Sequence, residues 1–204
     1  MQVSIDGFLG GRLRLEQPKI GYRAGIDPVL LAAACSAQRG QEVLELGCGV
    51  GVASLCLGRR VPGLALHGVE ILDDYAQIAR ENAARNDLEF DVRQGDVSVR
   101  PTPFYDFSFH HVIMNPPYFV ADTSSISPDA GRASGRSEQV ALSHWVDTAA
   151  KRLRPKGYLT VIQRAERLPD LLMALEGLLG SIVVQPLAPR AGRPAHLILL
   201  QARK

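Results

Sequence analysis

The sequence has few cysteines and no long apolar run. Its three cysteines, Cys35, Cys48 and Cys56, are odd in number and lack CxxC spacing, which argues against a disulfide framework and against a zinc site. No stretch approaches the roughly 18 consecutive apolar residues of a membrane-spanning helix, and the N-terminus lacks the basic-then-apolar layout of a secretion signal. We therefore expect a cytoplasmic protein with no membrane partner and no metal.

A large charge of one sign is also missing, because 23 basic and 21 acidic residues give a net charge of +2. Basic residues nevertheless cluster at 12–23, where four face one acid, and at 177–204, which has no acid and includes Arg190 and Arg193. Such clusters could lie along an RNA phosphate backbone or form an ordinary solvated rim. Charge alone leaves both interpretations open.

Short apolar segments alternate with segments of helical period. The helical segments are 74–86, 138–153 and 169–179, and the predicted strands are 42–46, 64–70, 89–94, 110–115, 158–163, 182–187 and 196–201. This alternation predicts an α/β fold, a Rossmann-like, doubly wound, seven-stranded sheet that is mostly parallel. Only a short turn separates the last two strands, so the last strand should run antiparallel.

A length of 204 residues suits a single domain, with residues 1–40 as an N-terminal cover and helix and residues 41–204 as the core. Residues 8–17 suggest a small hairpin. Asp27 is predicted to cap a helix whose first residue is Pro28. The longest polar stretch is 122–137, and a loop of that length is more often functional or mobile than idle.

The segment VLELGCGVG places a glycine loop where the first core strand turns into a helix. Gly47, Gly49 and Gly51, with Cys48 between them, allow positive φ angles and close approach of a ligand to the backbone. The spacing is GxGxG rather than the dinucleotide pattern GxGxxG, and Glu45 beside the loop would repel a phosphate. A positively charged ligand fits better, and S-adenosylmethionine, with its sulfonium and amino groups, is such a ligand.

Acidic residues end the next two predicted strands. Glu70 lies nineteen residues after Gly51, where doubly wound folds place a carboxylate that binds ribose hydroxyls. Asp96 closes the third strand and could accept a hydrogen bond from the adenine amino group of the same cofactor. Together with the glycine loop, these two acids predict that the cofactor is S-adenosylmethionine.

The fourth predicted strand ends in Asn115-Pro116-Pro117-Tyr118. Prolines lack an N–H and stiffen the turn, so the Asn115 amide oxygen and the Pro116 carbonyl should lack local donors. An exocyclic amino group brings two donors in one plane, and Tyr118 offers a ring for stacking an adenine. The motif therefore predicts methyl transfer to adenine N6, driven mainly by alignment, which can supply about 7–11 kcal/mol.

At these residues the chain resembles class I methyltransferases of amino groups, whose signature is (D/N)PPY. The stretches GRLRLEQPKIGYRAGIDPVLLAAA and PLAPRAGRPAHLILLQARK resemble the bacterial tRNA1(Val) adenine N6-methyltransferase family, which modifies the adenine next to the anticodon. The resemblance implies a structured RNA partner, tRNA, and implies that Tyr22, Arg23 and Asp27 cover the methionine end of the cofactor. We expect the RNA contacts to include four arginines: Arg132, Arg136, Arg190 and Arg193.

Other functions remain possible from the sequence. The NPPY motif also suits the primary amide of a glutamine in a protein such as a release factor, although only about forty residues precede the first core strand. A DNA adenine methyltransferase is disfavoured because no second domain is left to read a duplex. A non-catalytic RNA-binding protein should show a broken glycine loop or a replaced Asn115, and it shows neither. We interpret Trp145 and the histidines as structural.

Overall fold

Helices and strands alternate along the chain as predicted, in a computed structural model that describes residues 1–118 and 141–204. The strands are β1 (Val3–Phe8), β2 (Leu13–Pro18), β3 (Glu42–Leu46), β4 (Ala65–Glu70), β5 (Asp91–Gln94), β6 (Phe109–Met114), β7 (Leu153–Arg164), β8 (Gly180–Leu187) and β9 (Leu197–Arg203). The helices are α1 (Asp27–Ala34), α2 (Val52–Arg60), α3 (Asp73–Arg85), α4 (Leu142–Arg152) and α5 (Leu168–Leu175). None of the helices in these two ranges is long and apolar enough to cross a membrane.

The main sheet has seven strands in the order β5-β4-β3-β6-β7-β9-β8. Neighbours from β5 to β7 are parallel, and β9 runs antiparallel to both β7 and β8. The predicted Rossmann-like sheet with an antiparallel last strand is confirmed. The carboxyl ends of the parallel strands meet along one side of the sheet, which we call the carboxyl edge, and ligands of open α/β sheets bind there.

The two faces of the sheet carry two apolar cores. Along β6, Ile113 belongs to the core beneath α1, α2 and α3, whereas Val112 and Met114 belong to the core beneath α4 and α5. This alternation follows from the two-residue period of a strand. Each fully buried aliphatic side chain contributes about 1.5–3 kcal/mol, so the two cores hold the carboxyl edge in place from both sides.

The N-terminal hairpin is confirmed, and two asparagines of α3 fasten it. The Asn82 side chain accepts from the Glu16 backbone N–H at 2.6 Å and donates to its carbonyl at 3.0 Å. Asn86 makes the same pair of bonds with the backbone of Arg14, each at 3.0 Å. Each amide therefore pairs with β2 as a neighbouring strand would, and this holds the residues that follow β2 near the carboxyl edge.

Some predicted boundaries are wrong. Asp27 does not cap α1, because it is the first helical residue and its carboxylate accepts a hydrogen bond from Tyr118. The helix predicted at 169–179 ends at Leu175, and Gly177 takes a positive φ of 70° in the turn that follows. The strand predicted at 158–163 is longer, since β7 begins directly after α4. These differences leave the order of elements unchanged.

Candidate active site

The predicted cofactor and substrate residues converge on the carboxyl edge. The glycine loop follows β3, Glu70 ends β4, and Asp96 follows β5 by two residues. Asn115 follows β6, the strand next to β3 on its other side. The sheet topology thus places the candidate cofactor loop beside the candidate target site.

The three loop glycines serve different purposes. Gly47, Gly49 and Gly51 have φ angles of 67°, 54° and 87°, which L side chains rarely adopt. A Cβ at Gly47 would lie 2.6 Å from the Trp145 ring, and one at Gly51 would lie 3.0 Å from Phe90. A Cβ at Gly49 would meet nothing within 4 Å. Packing therefore accounts for two of the glycines, and Gly49 is the one with open space for a ligand.

Glu70 lies against this loop, as its predicted role requires. Its carboxylate accepts from the Gly49 N–H at 2.8 Å and from the Leu72 N–H at 3.0 Å, and the residue is only 7% exposed. Burial raises the pKa of the Glu70 carboxyl, and these backbone hydrogen bonds oppose the rise. The carboxylate is therefore adjacent to the open glycine, and the ribose contact stays a prediction.

Glu45 is a second buried acid at this end of the sheet. It is 3% exposed and accepts hydrogen bonds from the Ser54 backbone N–H at 2.9 Å and the Ser54 hydroxyl at 2.5 Å. Burial, with a smaller contribution from nearby Glu70, raises the pKa of Glu45 to about 8, and the two hydrogen bonds from Ser54 oppose this rise. Two buried carboxyls with raised pKa values favour a ligand that carries positive charge, because a cation would stabilise their ionised forms.

Cys48 and Asp96 differ in what they offer a cofactor. The Cys48 thiol packs into the core, where a Cβ on Gly68 would lie 2.8 Å from its Sγ. Its backbone N–H donates to the Val69 carbonyl at 3.0 Å and its carbonyl accepts from the Gly51 N–H at 2.8 Å, so a contact of Cys48 with the cofactor stays a prediction. Burial raises the pKa of this thiol well above its usual value. Asp96 Oδ1 accepts from the Ser98 N–H and hydroxyl, and Asp96 also lines an open groove of about 570 Å³.

The NPPY turn presents one unpaired acceptor. Asn115 Oδ1 is buried and has no hydrogen-bond partner among the residues that the structure describes. Leaving such an atom unpaired costs about 1–3 kcal/mol. The expectation that the Pro116 carbonyl has no local donor is wrong, because Gln163 Nε2 donates to it at 3.4 Å. A carbonyl oxygen has two lone pairs, so Pro116 can still accept a second hydrogen bond.

Tyr118 is held by residues from two other elements. Its hydroxyl donates to Asp27 Oδ2 at 2.5 Å, and the Arg164 guanidinium lies 5.8 Å from the centre of its ring. Burial, followed by the hydrogen bond and charge of Asp27, raises the pKa of Tyr118. The ring is therefore neutral and fixed at the end of the NPPY turn, as stacking with a base requires.

The three residues predicted to cover the methionine end of the cofactor, Tyr22, Arg23 and Asp27, lie in two different places. Tyr22 is 55% exposed as a residue, yet desolvation at its hydroxyl end, with Asp27 and Glu45 nearby, raises its pKa to about 12, and a hydrogen bond with the Asn115 side chain opposes this rise. Tyr22 therefore reaches the NPPY turn, as Asp27 does. Arg23 does not, because its guanidinium donates to the Pro18 carbonyl at 2.8 Å and to Asp6 at 2.6 Å in the hairpin.

Two of the predicted RNA contacts lie on the same side of the protein as the site. Arg190 and Arg193 are exposed in the connection from β8 to β9. The end of this connection adjoins the end of β7, since the Ala165 N–H donates to the His196 carbonyl at 3.0 Å. Arg132 and Arg136 lie outside the described residues, as does the polar 122–137 loop.

The N-terminal basic residues do not form one cluster. Arg14 pairs with Asn86 at the end of α3, whereas Gly21 packs against Tyr75 in the first turn of that helix. Arg14 lies near the start of the six-residue strand β2, which spans about 20 Å, whereas Gly21 follows the end of that strand. Only the part of the segment that follows β2 is therefore close to the carboxyl edge.

Gln163 and Arg164 are absent from the predicted site. Both end β7 at the carboxyl edge, and Gln163 was predicted only as the last residue of a strand. The same signal that drew attention to Asn115, a polar residue at the end of an apolar parallel strand, was present at Gln163. Trp145 is 5% exposed and packs in the core as interpreted, although its ring also forms one wall of the glycine loop.

Comparison with known proteins agrees with this geometry. Residues 25–185 match the family model of the methyltransferase small domain. The tRNA1(Val) (adenine(37)-N6)-methyltransferase of Porphyromonas gingivalis is 31% identical over 83% of this chain and 69% of that protein, and the protein of the same name from Musicola paradisiaca is 28% identical over 97% and 81%.

A solved structure shows the same fold. The 16S rRNA methyltransferase RsmC of T. thermophilus, in complex with AdoMet and guanosine, has a TM-score of 0.70 and 21% identity, covering 100% of this chain and 50% of that chain. The site described above also suits a cationic cofactor, with Gly49 open and Glu45 and Glu70 close to the loop. The chain belongs to the methyltransferase small domain family, and it is an enzyme that uses S-adenosylmethionine as its methyl donor.

Proposed function

We propose that the protein methylates the exocyclic N6 amino group of an unpaired adenine in tRNA, near the anticodon. The observation that carries this proposal is the buried Asn115 Oδ1, which has no hydrogen-bond partner within residues 1–118 and 141–204 and belongs to the same turn as the Pro116 carbonyl and the Tyr118 ring. An adenine supplies two coplanar N–H donors and a flat ring for stacking. The names of the relatives from Porphyromonas gingivalis and Musicola paradisiaca support the same substrate.

The chemistry of the site follows from its acceptors. Asn115 Oδ1 and the Pro116 carbonyl each accept one N6 hydrogen, which directs the nitrogen lone pair out of the turn and toward the glycine loop. S-adenosylmethionine supplies an electrophilic methyl group on a positively charged sulfur. The nitrogen gains its positive charge on transfer and releases its proton afterwards, so a strong base is not required.

The arginines of the β8–β9 connection support an RNA substrate. Arg190 and Arg193 are exposed next to the end of β7, where phosphates on either side of a bound base could reach them. An unpaired loop base also costs less to bring into a pocket than a base in a duplex. We therefore assign Arg190 and Arg193 to the RNA backbone.

The two arginines predict the salt dependence of RNA binding. We expect RNA affinity to fall steeply with salt, and the double charge reversal Arg190→Glu with Arg193→Glu to weaken it about tenfold and flatten that dependence. A filter-binding titration at several salt concentrations measures both effects. The matched control is Arg12→Glu, which lies in the turn before β2 at the far end of the hairpin and should change affinity little. Salt-independent binding would contradict the assignment.

Labelled cofactor tests the proposed reaction directly. The protein is incubated with methyl-labelled S-adenosylmethionine and, in parallel, with a release factor and with total RNA from a strain that lacks the enzyme. Label in N6-methyladenosine of the tRNA fraction is the expected result. Label in the release factor alone would replace the proposal with glutamine methylation, which the same two acceptors could support. Cofactor binding without transfer to any acceptor would favour a non-catalytic RNA-binding protein.

A further inference from the structure

Gln163 is a buried amide whose orientation is fixed. The residue is 0% exposed, and its Oε1 accepts from the Arg164 backbone N–H at 2.8 Å. Since the oxygen is paired with a backbone donor, the Nε2 group has to be the end that faces the Pro116 carbonyl, 3.4 Å away. The side chain thus delivers a donor to one of the two proposed acceptors of the amino group.

The NPPY turn needs such a donor because it cannot continue the sheet. β6 pairs with β7 up to Met114 and Val161. Pro116 and Pro117 have no N–H, so they cannot donate ladder hydrogen bonds beyond that point. Because the register with β7 ends at Met114, no ladder N–H of β7 is paired with the Pro116 carbonyl, and the Gln163 side chain, reaching from β7, supplies the donor instead.

We propose that Gln163 is a positioning residue for methyl transfer, an inference that rests on the proposed function. By donating to one lone pair of the Pro116 carbonyl, Gln163 holds this oxygen where its other lone pair accepts an N6 hydrogen. Asn115 and Pro116 then present two acceptors at a fixed separation. A displacement of about 1 Å in such an arrangement can cost about 100-fold in rate.

A structural role in the sheet is the competing explanation, and Gln201 provides the matched control. Gln201 lies on β9, opposite Thr160 of β7. Its amide donates to the Ala34 carbonyl at 2.8 Å and approaches the Thr160 hydroxyl at 3.5 Å. It is the same residue type in the same sheet, but its hydrogen bonds lie away from the NPPY turn.

The test compares Gln163→Met and Gln163→Glu with Gln201→Met. Methionine has a similar length and no donor. Glutamate keeps the shape and the acceptor for the Arg164 N–H, but burial raises the pKa of a carboxyl in such a place, as it does for Glu45, so this variant is assayed at about pH 9, where the carboxylate is ionised and has no donor. We expect both Gln163 variants to lower kcat about tenfold or more, with the KM for S-adenosylmethionine within about twofold of wild type. Gln201→Met should leave kcat within about twofold. Thermal unfolding of each variant shows how much stability each change removes.

Two results would overturn the inference. One is a kcat within about twofold of wild type in both Gln163 variants. The other is an equal loss of kcat in Gln163→Met and Gln201→Met at equal loss of stability, which indicates a structural role alone. If the wild-type protein labels an acceptor other than tRNA adenine, the proposed function fails. The Gln163 comparison is then made with that acceptor, and a selective loss of kcat there supports the positioning role.

Discussion

Buried asparagines are used in opposite ways in two regions of this protein. On α3, Asn82 is 0% exposed, and its amide bonds to the Glu16 N–H, the Glu16 carbonyl and the Val50 carbonyl. At the carboxyl edge, Asn115 Oδ1 is also buried but has no partner among the described residues. The same functional group stabilises the fold where its hydrogen bonds are complete, and marks a site where one bond is left for a ligand.

The largest expected effect is the loss of activity in Asn115→Ala. This change removes one of the two acceptors, and we expect kcat to fall about 100-fold or more while cofactor affinity stays near wild type. The free energy of unfolding should change by less than about 1 kcal/mol, because losing the unpaired Oδ1 adds stability while losing the hydrogen bond between the Asn115 side chain and Tyr22 removes a similar amount. Single-turnover methylation, cofactor titration and urea unfolding measure the three quantities. Normal turnover would remove NPPY from the mechanism.

The reverse pattern is expected at Asn82→Ala. This variant loses three hydrogen bonds and leaves backbone groups of Glu16 and Val50 without partners, so we expect a loss of about 3 kcal/mol in the free energy of unfolding. The kcat of the folded fraction should remain within a few-fold of wild type. Urea unfolding gives the stability, and active-site titration corrects the rate for the folded fraction. A selective loss of kcat at unchanged stability would contradict the purely structural role of Asn82.

Tyr118 extends the comparison, because its hydroxyl lies in the candidate active site but already has a hydrogen-bond partner, Asp27. Tyr118→Phe keeps the stacking ring but loses the bond to Asp27, and we expect kcat/KM for RNA to fall about three- to tenfold. Asp27→Ala removes the same hydrogen bond from the other side and should have a similar effect. If Asp27 acts through the Tyr118 hydroxyl, the double variant should be no worse than the worse single variant. Additive losses would show that Asp27 acts elsewhere, for example on the cofactor.

A pH-dependent effect on stability is expected at Glu45, a buried carboxyl whose Oε2 accepts both hydrogen bonds from Ser54. Its pKa is about 8 in the folded protein, above the ordinary glutamate value of 4.5, so between these pH values the folded state keeps a proton that the unfolded state releases. The contribution of Glu45 to stability is therefore largest below pH 4.5 and is lost as the pH rises toward 8. Urea unfolding across this range should show a steeper decline for wild type than for Glu45→Gln. Parallel curves would contradict the shift.

The sequence predicts the elements and the motif positions because these depend on local pattern. Apolar alternation identifies the strands, and polar residues at strand ends identify Glu70, Asp96 and Asn115. The contacts between distant segments are not predictable in this way. Asp27 meets Tyr118 across 91 positions, and Gln163 meets Pro116 across 47. The second contact becomes predictable only when the sheet order, which places β6 beside β7, is known.

The same limit applies to the basic segment, whose role the sequence leaves open, and to the predicted cap, which is wrong. Basic residues at 12–23 are close in sequence, but an extended strand separates them by about 20 Å. Asp27 precedes a proline at a helix start, which is typical of a cap, yet its carboxylate is already bonded to a tyrosine from another element. In both cases tertiary structure overrides a local pattern.

The packing of Trp145 against Gly47 gives the protein an intrinsic optical probe. Trp145 is the sole tryptophan of the sequence, so all indole emission comes from one wall of the glycine loop. Because the ring is buried there, a change in the loop or in the charge around it should alter the emission without any attached dye. Every variant proposed above retains this indole, so cofactor titrations of all of them can be read from the same signal.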